Sequence, residues 1–381
     1  METAGRMHLV NEYYFSGKLA EIERMNQEGA QVINLGIGSP DLAPHAAVIK
    51  VLQETAADPA NHGYQSYKGI PVLRNAIAEW YRKWYKVALD PAKEILPLIG
   101  SKEGIMHICM TFLQEGDIAL IPDPGYPTYQ SAVLLSGANF RAYELNESNG
   151  YEPDLETLEK QGLQNVKMMW VNYPHMPSGQ LPSNDLFEKL VRFGKKHNIM
   201  ICHDNPYSFI LNNDPRSMLE AKGAMDIALE LNSLSKSHNM AGWRMGFLCG
   251  NSDMIGQVLK FKSNMDSGMF KPLQLASIEA LKLDKDWFDG LNTIYKGRRD
   301  LMFILLNKLG CRFTNSQGGL FIWAKIPGHY KDAFDFSDEV LQRYKIFITP
   351  GTIFGSAGAQ FTRASLCSPE EIILEAIRRI K

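Results

Sequence analysis

Short apolar runs that alternate with helix-like patterns are the feature that most constrains the fold of this chain. Between residues 46 and 281, stretches with helical spacing separate apolar runs at 94–100, 117–122, 166–171, 198–204 and 227–231. Strands that alternate with helices pair in parallel, since each helix carries the chain back across one face of the sheet. The sequence therefore predicts an α/β fold with a mostly parallel sheet between helices.

The pattern changes near residue 281, and this change predicts two domains. A long charged helical stretch is followed by apolar runs at 318–324, 346–349 and 361–366. Near the start, residues 13–29 carry apolar side chains at helical spacing, which indicates a short helical arm. We predict a large domain over 46–281, and a smaller α+β domain that combines 282–381 with the N-terminal arm and its neighbours, 1–45.

Charge and cysteine content exclude several classes of protein. Forty basic and forty-two acidic residues leave a net charge of -2, so nothing favours nucleic acid or an anionic membrane as a partner. The five cysteines are odd in number and never form a CxxC pair, which indicates neither a disulfide framework nor a metal site. No apolar run is long enough to span a membrane, and we expect a cytoplasmic, unexported protein.

The segment Ser233–Gly246 combines groups that suit a phosphorylated carbonyl compound. Lys236 follows a short buried run, and we expect it on a loop at the carboxyl end of a strand. A lysine amine can form a Schiff base with a carbonyl group, while hydroxyls and a guanidinium bind phosphate. Ser233, Ser235 and Arg244 are near enough in sequence to supply those phosphate ligands.

A second candidate for the phosphate site is the turn Gly100–Gly104, which follows the apolar run 94–100 and opens an apolar helix. Free backbone N–H groups at a helix start bind phosphate, and Ser101 adds a hydroxyl. The pair Gly36-x-Gly38 is a poor dinucleotide fingerprint, because the third glycine is absent and Pro40 follows at once.

Three further side chains follow predicted strand ends and suit a flat, cationic heterocycle. Tyr126 can stack on such a ring, although a tyrosine in a turn is more often packing. Asp204 ends the run 198–204, where a carboxylate can hold a pyridinium nitrogen or simply start the turn that follows. Tyr207 can donate a hydrogen bond to a phenolic oxygen on the same ring.

The pattern S-x-S-K followed by G-W-R-x-G, at Ser233–Gly246, resembles the cofactor lysine segment of class I pyridoxal-phosphate-dependent aminotransferases, the aspartate aminotransferase superfamily of fold type I. The resemblance covers nearly the whole chain. The phrases Gly100–Gly104 and Asp266–Phe270 are most similar to the branch that contains LL-diaminopimelate and alanine-type enzymes. The resemblance implies that pyridoxal 5'-phosphate is the cofactor, and that Lys236 is the residue that carries the cofactor and transfers the proton.

The resemblance also implies a role for each matching position. The pyridinium partner is Asp204, the donor to the phenolic oxygen is Tyr207, and the stacking ring is Tyr126. The phosphate ligands are Ser101 and Lys102 through their backbone, then Ser233, Ser235 and Arg244 and, from a second subunit, Tyr64. Gly38 lines the substrate carboxylate site and Arg363 binds that carboxylate. Because Tyr64 matches a residue that reaches the other subunit, the resemblance implies a homodimer with shared active sites.

One position departs from the family pattern. The family sequence N-P-T-G is replaced by Met176-Pro177-Ser178-Gly179, and the missing asparagine normally contacts both the cofactor oxygen and the substrate carboxylate. A thioether cannot donate a hydrogen bond. We expect the cofactor-bound lysine nitrogen to hold its proton more tightly, with His175 or Asn172 as possible substitutes for the lost donor.

These observations imply an aminotransferase that moves an amino group between an L-amino acid and a 2-oxo acid by a ping-pong mechanism. Glutamate with 2-oxoglutarate, or alanine with pyruvate, is the expected common pair. A C–S β-lyase and a non-catalytic ligand-binding protein on the same fold stay open as alternatives. An acidic substrate needs a second cation, for which Lys260, Lys262 and Lys271 are candidates, and we expect neutral or mixed specificity instead.

Overall fold

The computed structural model describes residues 1–380 and has a seven-stranded sheet at its centre, with the order β2-β8-β7-β6-β5-β3-β4. Its strands are β2 (Ile95–Leu98), β3 (Ile118–Asp123), β4 (Asn139–Glu144), β5 (Val166–Asn172), β6 (Met200–Asp204), β7 (Ala228–Ser233) and β8 (Gly246–Gly250). All neighbours pair in parallel except where β8 meets β2 and β7. The predicted α/β class with a mostly parallel sheet is confirmed.

Helices cover both faces of this sheet because its central strands are apolar on both sides. In β5, Met169 and Val171 face one buried cluster, while Met168 and Trp170 face another. The first face is covered by α2 (Ala46–Ala56), α3 (Pro71–Tyr85), α6 (Leu155–Lys160), α7 (Leu186–His197) and α10 (Lys271–Leu281). The second is covered by α4 (Ser101–Phe112), α5 (Pro127–Leu135) and α9 (Ser252–Lys262). A single turn, α8 (Leu234–Ser237), lies between β7 and β8.

The C-terminal region forms a second layer around its own apolar cluster. Strands β9 (Phe321–Lys325), β11 (Thr349–Pro350) and β12 (Phe361–Ser365) make an antiparallel sheet in the order β11-β12-β9. The helices of this region are α11 (Lys285–Lys308), α12 (Ala333–Tyr344) and α13 (Glu370–Arg379). Leu305, Phe336 and Ile373 are fully buried between these elements.

The N-terminal arm joins this C-terminal region. Its helix α1 (Tyr14–Gln27) buries Phe15 and Ile22, and both side chains belong to clusters shared with the C-terminal residues. Strand β1 (Ile33–Asn34) pairs in parallel with β10 (Ile346–Phe347). These contacts support grouping 1–45 with 282–381, and the domain boundaries themselves stay a prediction.

The structure differs from the sequence-based expectations in three places. Strand β4 has no predicted counterpart, because it is an edge strand whose side chains are largely exposed. The run 346–349 is divided between β10 and β11, which belong to different sheets. Lys236 was expected on a loop, which is wrong: Leu234–Ser237 form one helical turn, and Ser233 caps it by accepting a hydrogen bond from the Ser235 N–H.

Among residues 1–380, no helix is both long and apolar enough to cross a membrane.

Candidate active site

A cavity of about 660 Å³ opens at the edge of the sheet where its parallel strands end. Chain segments that follow β2, β3, β5, β6 and β7 meet there with the arm and with β9 and β12. Every site residue predicted from the sequence lines this cavity except Tyr64. They are Gly38, Ser101, Lys102, Tyr126, Asp204, Tyr207, Ser233, Ser235, Lys236, Arg244 and Arg363. Tyr64 lies outside the cavity with its side chain 93% exposed.

One end of the cavity is built to receive an anion. Helix α4 begins at Ser101, and Gly100 before it has a φ of +87°. A Cβ atom at Gly100 would lie 2.2 Å from Nη2 of Arg244, so only glycine lets the guanidinium approach this helix start. Ser233 and Ser235 also line the cavity, and their Oγ atoms lie 2.9 Å apart. The helix N-terminus, hydroxyls and guanidinium together suit a phosphate.

Lys236 reaches the middle of the cavity from the single turn α8. Its Nζ donates to the carbonyl oxygen of Gly38, which ties the lysine to the segment before α2. Burial lowers the pKa of the amine, and the positive charges of Arg363 and Arg244 lower it further, although Cys367 acts in the opposite direction. A larger neutral fraction follows, and a neutral amine is the form that attacks a carbonyl carbon.

Asp204 is a buried carboxylate with one oxygen left free. Its Oδ2 accepts from the Tyr129 hydroxyl at 2.9 Å, whereas Oδ1 has no hydrogen-bond partner among the described residues. Burial raises the pKa of Asp204 to about 6, and the Tyr129 bond opposes that rise. Asn172 holds the backbone, since its Nδ2 donates to the Asp204 carbonyl oxygen at 2.6 Å. The free oxygen suits a cationic ring nitrogen.

Arg363 lies at the other end of the cavity with no carboxylate partner in the described part of the chain. Its Nη2 donates to the Gly36 carbonyl oxygen at 2.8 Å, and its Nε has no partner there. The guanidinium carbon lies 3.9 Å from the centre of the Phe321 ring and 4.5 Å from that of Phe354. Burial lowers the pKa of Arg363 to about 10. A buried cation without a counterion favours an anionic ligand.

Two tyrosines lie between these ends. Tyr126 is nearly perpendicular to Tyr129, with ring centres 5.7 Å apart and planes at 87°. Tyr207 packs against Phe321, with ring centres 6.0 Å apart. Burial raises the pKa of both hydroxyls, so each stays protonated and can act as a donor at neutral pH.

Sequence reasoning missed Tyr129 and the other groups that hold the predicted residues in place. The Tyr129 ring stacks on Trp170, with ring centres 5.1 Å apart and planes at 9°. A signal for it was present, because Tyr129 follows Tyr126 by three residues at the start of a helix and therefore lies beside it. No local pattern indicates Asn172, whose contact with Asp204 depends on the pairing of β5 with β6.

Met176 follows β5 and contacts Arg363. Its Sδ lies 3.3 Å from Arg363 Nη1, and its N–H donates to Asn172 Oδ1 at 2.7 Å. Of the two proposed substitutes for the lost donor, His175 is occupied, because its Nε2 donates to the Pro124 carbonyl oxygen at 3.1 Å and its Nδ1 lies 2.7 Å from Ser178 Oγ. Asn172 uses one N–H of its side-chain amide on the Asp204 carbonyl oxygen and lines the cavity, so its second N–H stays available.

One cluster in residues 1–380 has the composition of a metal site. The ligand atoms of Glu103, His107 and Asp266 lie within 4.8 Å of one another. However, Lys262 Nζ lies 2.7 Å from Asp266 Oδ1 and 2.6 Å from Oδ2, so an ammonium already neutralises this carboxylate. The cluster is an internal ion pair with a neighbouring Glu–His hydrogen bond, outside the cavity.

Known proteins resemble this chain over its whole length. The family model for aminotransferase class I and II matches residues 30–380. The LL-diaminopimelate aminotransferase of Dehalococcoides mccartyi is 41% identical over 382 aligned residues, which cover 100% of this chain and 98% of that protein. The enzyme of the same name from Aquifex aeolicus is 37% identical over 386 residues, with coverage of 100% and 98%.

Solved structures agree with these sequence relatives. Substrate-bound BacF from Bacillus subtilis superposes with a TM-score of 0.96 at 35% identity, covering 100% of this chain and 97% of that one. An aminotransferase from Staphylococcus aureus gives 0.90 at 30% identity, with coverage of 99% and 98%. The chain therefore belongs to the class I and II aminotransferases. It is a transaminase of fold type I that depends on pyridoxal phosphate.

The residues present fit this cofactor. The buried Oδ1 of Asp204 has no hydrogen-bond partner among residues 1–380 and can accept a hydrogen bond from a pyridinium nitrogen. The Arg244 guanidinium lies against Gly100 at the start of α4, where it can bind a phosphate together with the backbone N–H groups. Lys236 lies in the same cavity with a lowered pKa. An aromatic ring, Tyr126, is available beside them. Their individual roles toward the cofactor are our proposal.

We expect Tyr129→Phe to raise the pKa of Asp204 above its present value of about 6, because the ionised carboxylate loses a donor. When the solution is acidified, binding of pyridoxal phosphate to the variant should then begin to weaken at a higher pH than binding to the wild type, because a protonated Asp204 cannot pair with a cation. The measurement is the dissociation constant as a function of pH. Tyr143→Phe is the matched control, because its buried hydroxyl donates to the Trp170 carbonyl oxygen instead. An equal displacement in both variants contradicts the role of Tyr129.

We expect Met176→Asn to lower the pH midpoint of the visible absorption of the cofactor-loaded protein. An asparagine adds a second donor beside Tyr207 for the phenolic oxygen, so the proton shared with the lysine nitrogen is released at lower pH. Met176→Leu adds no donor and should keep the wild-type midpoint. An unchanged or higher midpoint in the asparagine variant overturns the expectation.

Proposed function

We propose that this transaminase moves an amino group between an L-amino acid and a 2-oxo acid by a ping-pong mechanism. Glutamate with 2-oxoglutarate, or alanine with pyruvate, serves as one of the two pairs. The observation that carries the proposal is the presence of Lys236 and Arg363 in one cavity. The first offers an amine with a lowered pKa, and the second a buried guanidinium without a carboxylate partner in residues 1–380.

Each residue has a defined task in this proposal. When bound, pyridoxal phosphate withdraws electrons from the α-carbon of the substrate, so that its proton can leave. The Lys236 amine would accept that proton and give it back to the carbon on the other side of the transferred nitrogen. Asp204 keeps the ring nitrogen protonated, and Tyr207 donates to the phenolic oxygen. Arg363 orients the substrate by binding its α-carboxylate through two parallel hydrogen bonds.

We further propose that the active unit is a homodimer. The phosphate end of the cavity is open in a single chain, since Lys102 and Arg244 are both exposed. Tyr64 is 93% exposed, and the exposed apolar side chains Tyr67, Met265 and Phe270 lie on two segments that contact each other. A second copy that covers this surface can bring its Tyr64 to the open phosphate end.

A cytoplasmic location fits the five free, buried cysteines.

We expect Lys236→Ala to lose transamination by at least about a thousandfold, because the proton shuttle is gone. The visible absorption of the cofactor-loaded protein should also change, since the variant lacks the amine that binds the cofactor. Lys50→Ala, which removes an exposed lysine of α2, is the control and should keep both properties. Activity and spectrum are measured on the purified full chain. Full turnover by Lys236→Ala contradicts the proposed mechanism.

We expect subunits with Tyr64→Ala and with Lys236→Ala to restore activity when they are combined in one dimer. If Tyr64 serves the other subunit, the heterodimer contains one site with both residues intact and one site lacking both. Such a dimer, isolated with two different affinity tags, should show about half of the wild-type activity at limiting cofactor. Each variant homodimer is the control. A heterodimer no more active than these controls contradicts the shared site, and so does a monomer in sedimentation.

A further inference from the structure

The segment 35–41 follows β1 and forms one wall of the cavity. Ile37 and Gly38 of this segment are lining residues. The segment contains no helix and no strand, so hydrogen bonds from its surroundings determine its path. The places where those bonds attach therefore decide how this wall is positioned.

The first end of the segment is tied to the C-terminal region. The Leu35 N–H donates to the Phe347 carbonyl oxygen at 2.8 Å, and the Leu35 carbonyl oxygen accepts from the Ser365 N–H at 2.7 Å. The Gly36 carbonyl oxygen accepts from Thr349 Oγ1 at 2.9 Å. Gly36 is therefore held against β10, β11 and β12.

The Gly36 carbonyl oxygen also determines how the Arg363 guanidinium is turned. It accepts from Nη2 at 2.8 Å, while Met176 Sδ lies 3.3 Å from Nη1. Each terminal nitrogen of arginine carries two N–H groups, so each keeps one for a carboxylate. The rings of Phe321 and Phe354 hold the guanidinium between them. A ring does not select which N–H points where, whereas a hydrogen bond does.

The other end of the segment is tied to α11 by a buried ion pair. Arg298 Nη1 lies 2.6 Å from Asp41 Oδ1, and its Nη2 lies 2.8 Å from Asp41 Oδ2, so the two groups form parallel hydrogen bonds. The same Nη1 donates to the Leu366 carbonyl oxygen at 3.1 Å. Asp41 and the residue that follows β12 are thus held by one guanidinium.

Only one other hydrogen bond within residues 1–380 holds positions 38–41. The Lys236 Nζ donates to the Gly38 carbonyl oxygen. In the proposed function Lys236 is taken up by the cofactor carbonyl, so this bond is not a permanent anchor. The pair of Asp41 with Arg298 is the anchor that does not depend on the state of Lys236.

We infer that Asp41 and Arg298 are positioning residues for the substrate α-carboxylate. They act through Gly38 and through the Gly36 oxygen that turns Arg363, and neither of them lines the cavity. The inference rests on the proposed function, in which Arg363 binds that carboxylate, and adds two residues to it. A misplacement of about 1 Å in such a site costs up to about a hundredfold in rate.

The first test is Asp41→Asn in the full-length holoenzyme, with L-glutamate or L-alanine as the amino donor. We expect KM to rise about tenfold and kcat to change less than about threefold, because Arg363 binds the carboxylate equally before and during the reaction. The dissociation constant of pyridoxal phosphate should stay within about twofold of the wild-type value. An unchanged KM overturns the inference.

Glu220→Gln is the matched control. Its carboxylate binds Arg216 Nε at 2.7 Å and is 26% exposed, compared with 23% for Asp41, but this pair lies outside the cavity. We expect it to keep the wild-type KM. An equal rise of KM in both variants shows a general effect of losing an ion pair and contradicts the inference.

A double-mutant cycle shows whether Asp41 acts through Arg363. In an Arg363→Ala background there is no guanidinium to turn, so Asp41→Asn should lower the second-order rate constant by less than about twofold. The rate constant is measured by visible absorption in single turnovers at high amino acid concentration. A further tenfold loss in this background overturns the inference.

A second variant keeps the test valid if Asp41→Asn leaves Arg298 without a counterion and does not fold. Asp41→Leu combined with Arg298→Met removes both charges, so no buried charge is left alone. We expect the same tenfold rise in KM with an intact fold and normal cofactor absorption. A wild-type KM in this double variant contradicts the role of the pair.

Failure of the inference differs from failure of the proposed function. If the wild-type holoenzyme transaminates and the variants keep its KM, transamination stands and only the role of the pair is wrong. If a wild-type holoenzyme with normal cofactor absorption is converted by no amino acid, the proposed function is wrong, and the inference that rests on it is wrong as well.

Discussion

Three ionisable groups enclosed in one cavity without an opposite charge from the protein are the constraint on which the rest of this structure depends. Lys236, Asp204 and Arg363 each lack an ion-pair partner in residues 1–380, and burial shifts the pKa of each toward its neutral form. Such an arrangement is costly, because desolvation of a charge is not repaid unless an opposite charge meets it. It persists only where a large scaffold fixes the groups in place.

The scaffold supplies this rigidity through the sheet and through a few buried polar contacts. Asn172, Asp204 and Ser233 are the last residues of the adjacent strands β5, β6 and β7, and Ser233 caps the turn that carries Lys236. The register in which these strands pair therefore sets the spacing of the three residues. Across the cavity, Arg298 binds both oxygens of Asp41 at 2.6 and 2.8 Å and also donates to the Leu366 carbonyl oxygen. That pair holds the segment with Gly38 against the C-terminal region, which completes the wall opposite the sheet.

The parts that sequence predicted are those encoded by local patterns. Alternating apolar runs were sufficient to predict the sheet and its helices, and the compact segment around Lys236 was sufficient to predict four of the residues that line the cavity. Edge strand β4 was not predicted, because an exposed strand has no strong apolar pattern. The bond from Tyr129 to Asp204 joins residues 75 apart in the chain, and therefore depends on how α5 packs on β6. The contact of Phe15 with Arg363 likewise depends on the arm meeting β12, which no local pattern specifies.

The titration of the cavity explains why such a site is completed by its cofactor. The pKa of Asp204 is about 6, above its value of 3.8 in an unfolded chain, so the folded state binds the extra proton and loses stability as pH rises through 6. The lowered pKa of Lys236 has the opposite sign: folding releases a proton, which costs stability at any pH below the ordinary lysine value. At neutral pH both groups therefore oppose folding of the cofactor-free chain. A cationic ring nitrogen beside Asp204 favours its ionised form, and a carbonyl that takes up the Lys236 amine uses its neutral form. The same shifts that destabilise the empty fold thus contribute to binding of the cofactor, and this coupling ties affinity for pyridoxal phosphate to the burial of Lys236 and Asp204 in the cavity.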